Sequence, residues 1–463
     1  MKHYSAPAIA VLATGCASIG GGDIATDLQL ATTNIPNEWA VTLPAPAEET
    51  DWTAQFNSER MNALIQEAIS ANPSLLAARA RASASFATSR AARGDRIPSL
   101  SAGVQGGRID SGSSTDPSYQ VSLSSSWEVD LWGQVSKRIS ASDEDFKASE
   151  AELDDLRLSI AGRTANAWIN LSNARAQLSL AEDELQARTR AKELTERRVA
   201  TGLATTLDVR LSRSAEASAK SSISRAQLDV ENAARSLEVL LGRYPAAEVN
   251  APETPPVLGP MADTNISPTD MLARRPDVAA SEARMAAAGL RADLARIAMR
   301  PSLSLSASGS INSNTIEDVL DVDQLAGRIL ANLTAPIFNG GRLANQAKAA
   351  RLNAEAAAAN YASTVLAAWE EVEGTRAADL SLEQQQFALQ IAMSEAEAAE
   401  TIAERQYQEG LITIFDLINA QTRRINANSQ LIATHASRAV NRINYHLALG
   451  GGDAPAINAP TGN

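Results

Sequence analysis

The feature that most constrains the fold of this chain is an internal duplication. The residues NPSL at 72–75 return as RPDV at 275–278, and PSLS at 98–101 returns unchanged at 301–304. Both pairs are 203 residues apart. Solenoid and propeller repeats are about 20 to 50 residues long. The much longer period therefore indicates two copies of one domain, each predicted to contain a helix, two alternating segments and two very long helices.

Composition and charge exclude several classes of protein. The 463 residues carry a formal net charge of −13, which argues against nucleic acid or an anionic membrane surface as the main partner. The sequence contains no run of 18 apolar residues, so no transmembrane helix is predicted. The histidines His3, His435 and His446 have no metal-ligand spacing, and no nucleotide-binding or hydrolase motif is found. These observations disfavour an enzyme, a metal site and a bound cofactor.

The single cysteine, Cys16, lies at the end of a secretory signal. Lys2 and a short apolar stretch at 6–13 precede it, followed by small residues. This N-terminus resembles a bacterial lipoprotein signal, in which cleavage before the cysteine leaves it carrying N-acyl and S-diacylglycerol groups. A lone cysteine cannot form an internal disulfide bond. The alternative is an ordinary cysteine near the start of a soluble protein.

Alternating segments precede each long helix. Between residues 119 and 131 the odd positions are apolar, apart from Ser125, and the even positions are polar. The second copy alternates more weakly over 325–337, and upstream partners lie at 100–109 and 303–311. This period of two predicts β-strands with one apolar and one polar face. The pattern is typical of a transmembrane β-barrel and also of a half-buried hairpin on a soluble core.

The number of strands decides how such a sheet could enter a membrane. Only four strands are predicted, whereas the smallest closed membrane barrel needs about eight. An open edge cannot face lipid, because its backbone groups would lack hydrogen-bond partners. Several chains would therefore have to pool their strands, and three chains would supply twelve.

Two very long helices are predicted at residues 134–200 and 342–409, because neither segment contains proline. At a rise of 1.5 Å per residue, each would be about 100 Å long. Apolar residues in the first segment fall at spacings of three, four and seven, which indicates coiled-coil packing. A glycine, Gly202 or Gly410, follows each helix and precedes a second long helix. A coiled-coil scaffold would contain similar helices but would not need the β-hairpins or the lipoprotein signal.

Several motifs resemble those of the TolC-type outer-membrane factors, in particular the NodT-like lipoprotein branch that serves resistance-nodulation-division (RND) efflux pumps. The Arg-Pro-Asp motif at 275–277 and the Asp-Leu-Trp-Gly motif at 130–133 are the most specific. The remaining motifs are EAR at 282–284, PSLSL at 301–305, PIFNGGR at 336–342, and NP at 72–73 after the WTAQF opening at 52–56. Together they span nearly the whole chain after the signal.

The resemblance implies an α+β membrane protein in the bacterial outer membrane, lipid-anchored and with a large periplasmic portion. Each chain of a homotrimer would contribute four strands to a twelve-stranded barrel. Long antiparallel helices would form a periplasmic α-helical barrel with a mixed equatorial belt. The implied partners are outer-membrane lipid, a periplasmic adaptor protein and an inner-membrane RND-type transporter.

The corresponding division of the chain places one structural repeat on either side of a linker. The predicted segments are a signal peptide at 1–15, an acylated N-terminus and linker at 16–52, a first repeat at 53–244 with its β-hairpin at 98–131 and helical tip near 202, a linker or equatorial segment at 245–268, a second repeat at 269–450 with its β-hairpin at 301–338 and helical tip near 410, and a disordered tail at 451–463.

The resemblance also implies a gate that closes the periplasmic end of the channel. Asp416 matches the first of two constricting acids in the family, and Asn419 stands where the second would be. A ring of carboxylates attracts cations, and the neutral Asn419 would leave that ring one layer deep. Tyr407 and Asp208 match positions that hydrogen-bond to hold the inner helices shut. The alternative for each is a solvated side chain on a helix face.

Both helical tips carry a Gly-Leu pair, Gly202-Leu203 and Gly410-Leu411. Glycine permits the positive φ that the chain reversal needs. The leucines are then expected to be exposed, which suits docking of a helical hairpin from the adaptor. The alternative is that each leucine folds back onto its own hairpin.

The predicted function is that of an exit duct, the outer-membrane channel of a tripartite efflux pump. It would passively conduct drugs or other small molecules after docking with the adaptor and the transporter. A type I protein-secretion duct and a metal-efflux duct of the same fold remain alternatives, because a duct does not recognise its cargo chemically. A coiled-coil periplasmic scaffold lipoprotein is the alternative from a different class.

Overall fold

The computed structural model describes residues 36, 38–43, 52–56, 58–110, 112, 115–264 and 266–451. The predicted signal peptide, Cys16 and the tail beyond residue 451 lie outside the described residues. The described chain divides into two compact units. The first contains residues 79–152 and 277–365, and the second contains the remaining described segments. Each unit therefore draws on both copies of the duplication.

The same order of elements occurs twice, which confirms the predicted duplication. The first copy contains α1 (Glu59–Ala71), α2 (Pro73–Gly94), β1 (Ser99–Asp110), β2 (Thr115–Val129), α3 (Gln134–Ala200) and α4 (Thr206–Leu240). The second copy contains α5 (Pro268–Arg274), α6 (Pro276–Ile297), β3 (Ser302–Ser313), β4 (Ala326–Thr334), α7 (Arg342–Glu409) and α8 (Ile414–Ala448). Short 3-10 helices lie at Trp52–Phe56, Asp318–Leu320 and Val322–Gln324.

The structure differs from the prediction ahead of each β-hairpin, where two helices replace the single helix expected. α1 ends before Pro73 and α5 ends before Pro276. A proline disfavours helical backbone at the residue before it. Asn72 and Arg275 accordingly have extended backbones, with ψ values of 123° and 119°. Because proline suits the first position of a helix, α2 and α6 begin at these prolines.

The four strands form one antiparallel sheet in the order β1-β2-β3-β4. Pairing of β2 with β3 joins the two copies, and β1 and β4 are the edges of the sheet. Both predicted hairpins are present, but β4 ends at Thr334 and not at residue 337 as predicted. The reason is Pro336, since proline has no N–H group to donate to a β-ladder.

The sheet has one apolar and one polar face, as the alternation predicted. Residues directly opposite one another in an antiparallel ladder point to the same side. The register places Val104 beside Val121 on one face, and Gln105 beside Gln120 on the other. The register places these serines on the polar face: Ser99, Ser101, Ser122, Ser124, Ser126, Ser304, Ser306, Ser308 and Ser310.

The two long helices confirm the predicted bounds. α3 has 67 residues and α7 has 68, while α4 and α8 have 35 each. Alanine is the best helix former, and it occupies buried positions such as Ala165, Ala187 and Ala191 in α3. In the described part of the chain, no helix has both the length and the apolarity required to cross a membrane.

Buried arginines hold the segment between the copies, residues 245–268, against α7 and α8. Arg376, which is 1% exposed, places its Nη2 atom 3.0 Å from Asp263 Oδ2. Arg438, which is 3% exposed, donates from Nη1 to the carbonyl of Leu258 at 3.1 Å. These charge-assisted bonds fix a proline-rich segment that has little regular structure of its own.

Candidate functional site at the helical tips

Each long helical hairpin reverses at its glycine, as predicted. Gly202 has φ 77° and Gly410 has φ 84°, values that favour glycine. Leu203 N donates to Arg198 O at 2.8 Å, and Leu411 N donates to Gln406 O at 2.9 Å. These bonds across six residues are the Schellman ending of a helix. Leu203 and Leu411 are 68% and 69% exposed in the single chain, as docking of a partner would require.

Asp208 and Asp416, the acids assigned to the gate, both complete a capping box. Thr205 N donates to Asp208 Oδ2 at 2.8 Å, and Asp208 N donates to Thr205 Oγ1 at 3.3 Å. The corresponding distances between Thr413 and Asp416 are 3.0 Å and 3.3 Å. The Thr-x-x-Asp spacing at 205–208 and 413–416 would have predicted this role from the sequence.

The capping bonds also lower the pKa of Asp416. The Thr413 hydroxyl and backbone N–H both donate to the Asp416 carboxylate and lower its pKa below the ordinary aspartate value. Asp416 and Asn419 are both exposed, whereas Leu417 between them is buried. Residues three apart share a helix face, so the side chains of Asp416 and Asn419 lie together on the exposed face of α8.

Tyr407, a residue of α7, is buried against α3. Its hydroxyl lies 2.7 Å from Thr195 Oγ1, and Thr195 Oγ1 also lies 2.7 Å from the carbonyl of Ala191. Since threonine has a single hydroxyl proton, which goes to the carbonyl, Tyr407 is the donor in the bond to Thr195. Within one chain, the structure therefore pairs Tyr407 with Thr195 and not with Asp208. The bond between Tyr407 and Asp208 stays a prediction, and its formation would require the Tyr407 hydroxyl to leave Thr195.

Arg198 contacts both tips of the chain. Its guanidinium carbon lies 4.8 Å from the centre of the Tyr407 ring, a cation–π contact. It donates to the carbonyl of Leu203 at 3.3 Å and also to the carbonyl of Tyr407. No role was predicted for Arg198 from the sequence. The sequence feature that could have pointed to Arg198 is a difference between the two tips, since the position that corresponds to Arg198 in the second tip is Gln406.

The two hairpins contain corresponding ion pairs of opposite polarity. Lys192 on α3 lies 2.9 Å from Glu216 on α4. The positions 208 residues later are Glu400 on α7 and Arg424 on α8, which also pair. Each pair joins the long helix of a hairpin to its returning helix.

A buried arginine joins the first hairpin to the second. Arg188 on α3 is 4% exposed, and it donates to Gln421 Oε1 at 2.9 Å and to Thr422 Oγ1 at 2.9 Å on α8. Together with the contact between Tyr407 and Thr195 and the two ion pairs, these bonds join all four helices behind the tips. Among the described residues, no group of three His, Cys, Asp or Glu side chains could hold a metal ion. The arrangement holds helices together and presents carboxylates at the tips.

Comparison with known proteins identifies the family. The model of a family described as outer membrane efflux protein matches residues 64–243 and 268–451. The cation efflux system protein CusC of Escherichia coli O6:H1 is 25% identical over 457 residues, which cover 96% of this chain and 97% of CusC. The pyoverdine export outer membrane protein OpmQ of Pseudomonas aeruginosa is 28% identical over 470 residues, which cover 98% of this chain and 97% of OpmQ.

A solved structure supports the same assignment. The outer membrane protein VceC of Vibrio cholerae matches with a TM-score of 0.79 and 26% identity, over 88% of this chain and 100% of the VceC chain. This similarity confirms the predicted fold class and the outer-membrane location, and the family model matches each copy of the duplication separately. The chain therefore belongs to the outer membrane efflux protein family and is a channel of the bacterial outer membrane.

Proposed function

We propose that three copies of the chain form the exit duct of a tripartite efflux pump, together with a periplasmic adaptor protein and an inner-membrane RND-type transporter. The observation that carries this proposal is the sheet, which has four strands, open edges at β1 and β4, and one apolar face. Four strands are too few to close a barrel in lipid, and open edges are not tolerated there. Three chains would supply twelve strands and leave no open edge.

The two faces of the sheet give the orientation of the strands in this barrel. The apolar face, which carries Val121, Leu123, Trp127 and Val129, would contact lipid. The serine-rich face would line the water-filled lumen, where hydroxyl groups are readily hydrated. An outward apolar face and an inward polar face are the pattern of outer-membrane barrels.

We assign the periplasmic gate to the tips of the hairpins. Three Asp416 carboxylates around the trimer axis would attract cations and repel one another, so closure must depend on other contacts. The bond from Tyr407 to Thr195 supplies one such contact within each chain. We place Asp208 in the same latch between neighbouring chains, and Asn419 one helical turn deeper than Asp416.

We assign adaptor docking to the exposed leucines of the tips and lipid attachment to Cys16. Leu203 and Leu411 stand beside the turn glycines with more than half of each side chain exposed. A short apolar knob of this kind fits the groove of a partner's helical hairpin. Acylation of Cys16 rests on the sequence alone, because this residue lies outside the described part of the chain.

The cargo in this proposal is a small molecule that reaches the duct through the adaptor and the transporter. The relatives are named for different cargoes, a cation efflux system for CusC and pyoverdine export for OpmQ. The specificity of the pump would then lie mainly in the transporter, and a metal-efflux pump is the second candidate because CusC aligns over nearly its whole length.

Cross-linking in intact cells, followed by mass spectrometry of the purified chain, tests the assembly. The expected result is recovery of an adaptor and an RND-type transporter. Leu203→Glu with Leu411→Glu should abolish that recovery, whereas Leu228→Glu, at another exposed leucine on α4, should not. Recovery of an ATP-driven protein-secretion transporter would favour type I secretion, and the absence of any inner-membrane partner would contradict the proposal.

A further inference from the structure

The polar face of the sheet carries an arginine among its serines. The register places Arg328 of β4 opposite Ser308, Ser308 opposite Ser124, and Ser124 opposite Ser101. These four residues form one row across the sheet. Arg328 is exposed, and no carboxylate in the part of the chain that the structure describes pairs with it. An arginine is ionised at any physiological pH, so the row carries a permanent positive charge.

The acids on the same face lie far from this row. Along β2, Glu128 is four residues from Ser124 and Asp116 is eight residues from it, which is about 14 Å and about 27 Å at 3.4 Å per residue. Both distances exceed the Debye length of about 10 Å at 0.1 M salt. The acids of the turn between β3 and β4, at 317–323, lie beyond the ends of the strands. The charge of Arg328 is therefore not neutralised at its own row.

Closure of the barrel would not supply a partner either. In the proposed trimer, β4 of one chain would pair with β1 of the next. The residues of β1 on the polar face carry no charge, whichever register the two strands adopt: Ser99, Ser101, Gly103, Gln105, Gly107 and Ile109. Arg108, the arginine of β1, lies on the apolar face opposite Pro117.

We propose that Arg328 is a specificity-determining residue, and that its three copies form a ring of positive charge inside the barrel at the level of Ser124 and Ser308. This proposal rests on the proposed trimeric barrel. The ring raises the local concentration of anions and favours passage of solutes that carry anionic groups. It lies in the barrel, whereas the Asp416 carboxylates assigned to the gate lie at the helical tips.

Thiol labelling measures the electrostatic potential at this row directly, and does not depend on whether the periplasmic gate is open. A Ser308→Cys variant of the full chain, embedded in outer-membrane vesicles, is treated with an anionic and a cationic methanethiosulfonate reagent of similar size. The ratio of the two rates is normalised to the ratio for free 2-mercaptoethanol. The unmodified chain gives the background. We expect the normalised ratio to exceed one, in favour of the anionic reagent.

Substitutions of the arginine should then shift this ratio. At 0.1 M salt, Arg328→Gln should lower it about threefold and Arg328→Glu about tenfold, with larger shifts at 0.01 M salt, where the Debye length is about 30 Å. Arg108→Gln, on the opposite face, should leave the ratio unchanged. A normalised ratio at or below one, or a ratio that Arg328→Glu does not change, would overturn the proposal.

A second reporter position separates this proposal from the barrel itself. Leu305→Cys lies on the apolar face opposite Trp127 and should be protected by lipid from both reagents. Labelling at Ser308→Cys with protection at Leu305→Cys supports the barrel, whatever the ratio shows. Equal labelling at both positions, or protection at both, contradicts the barrel and with it the ring.

Discussion

At the scale of single residues, the tips depend on hydroxyl groups that cap helices or join them. Thr205 and Thr413 begin α4 and α8 through reciprocal bonds with acids three residues later. Thr195 accepts a hydrogen bond from the hydroxyl of Tyr407, which is 2% exposed. An acid assigned to the gate is thus also a helix cap, and substitutions at the tip combine two effects.

Tyr407→Phe and Thr195→Val each remove the bond between α3 and α7. Each variant should lose about 1 kcal/mol of stability, because a neutral buried hydrogen bond contributes about that much. Both should raise single-channel conductance in planar bilayers. The double variant should lose no more stability than the more damaging single one, since both break the same bond. The control is Thr364→Val, which removes a threonine hydroxyl that donates to the Asn360 carbonyl at 3.0 Å. Additive losses in the double variant would count against the bond between Thr195 and Tyr407.

Block by a trivalent cation added from the periplasmic side should follow the charge of Asp416. Because hydrogen bonds from Thr413 lower the pKa of Asp416, the carboxylate stays charged to a lower pH than an ordinary aspartate. Block by hexamminecobalt(III) should therefore be present at neutral pH and be lost in the acidic range, as Asp416 becomes protonated. Asp416→Asn should remove the block at all pH values, and bilayer recordings measure it.

Asn419→Asp provides the opposite variant. It adds a second carboxylate on the same helix face, so the trivalent cation should block more strongly than in the unmodified chain. Leu228→Asp, on an exposed position of α4 away from the tips, is the control for added charge. If block is unchanged in Asp416→Asn and in Asn419→Asp, the exposed face of α8 does not line the pore.

The residues of the tips could be read from the sequence only in part. Gly202 and Gly410 were predictable because a chain reversal after a long helix needs a positive φ. The capping boxes could have been predicted from the two Thr-x-x-Asp motifs. The bond between Thr195 and Tyr407 was not, because 212 residues separate the two hydroxyls and only the packing of α3 against α7 brings them together.

At the scale of elements, the duplication has diverged while keeping its contacts. The pair Lys192–Glu216 and the pair Glu400–Arg424 occupy corresponding positions with exchanged charges. Each pair thus needs opposite charges and not a particular polarity. Hydrogen bonding from Lys192 and Lys220 lowers the pKa of Glu216, so its carboxylate remains ionised well into the acidic range.

Exchange of the first pair tests this interpretation. Lys192→Glu alone places two carboxylates together and should lower the midpoint of thermal unfolding of the detergent-solubilised protein. Adding Glu216→Arg recreates the polarity of the second hairpin and should restore most of the loss. Adding Glu231→Arg in its place, at an exposed ion pair farther along α4, should not restore it. Failure of Glu216→Arg to restore the midpoint would show that the corresponding pairs do not act alike.

The segment between the copies depends on buried charge. Arg376→Ala removes the ion pair with Asp263 and the hydrogen bond of 2.7 Å from Arg376 Nε to the carbonyl of Val41. Breaking a buried ion pair costs about 3 kcal/mol. Arg291→Ala removes an ion pair with Asp145 that is half exposed and should cost less than about 1 kcal/mol. Equal losses in thermal unfolding would contradict the assigned role of Arg376.

The ends of the helices and strands could be predicted from the positions of proline, but three of the prolines were overlooked. The absence of proline gave the bounds of α3 and α7. Pro336 ends β4 three residues earlier than alternation alone indicated, and Pro73 and Pro276 each divide a predicted helix. The pairing of β2 with β3 was not predictable, because it joins segments from different copies.

At the scale of the whole molecule, the chain is an outer membrane efflux channel whose sheet has two chemically distinct faces. Arginine at Leu123, on the apolar face, should cost about 2–4 kcal/mol near the middle of the bilayer. The neighbouring Ser124→Arg should be tolerated and should alter conductance instead. The yield of folded protein in the outer membrane measures the difference. Equal yields from the two variants would argue against a membrane barrel.

The most direct test of the account is single-channel recording in planar lipid bilayers with purified trimer. We expect small discrete conductance steps for the unmodified chain, because the proposed gate would narrow the periplasmic end of the duct. A variant that combines Thr195→Val with Arg198→Ala removes two contacts that join the hairpins, and it should give larger steps. If neither protein produces conductance steps in the bilayer, the claim that this chain forms a channel is contradicted.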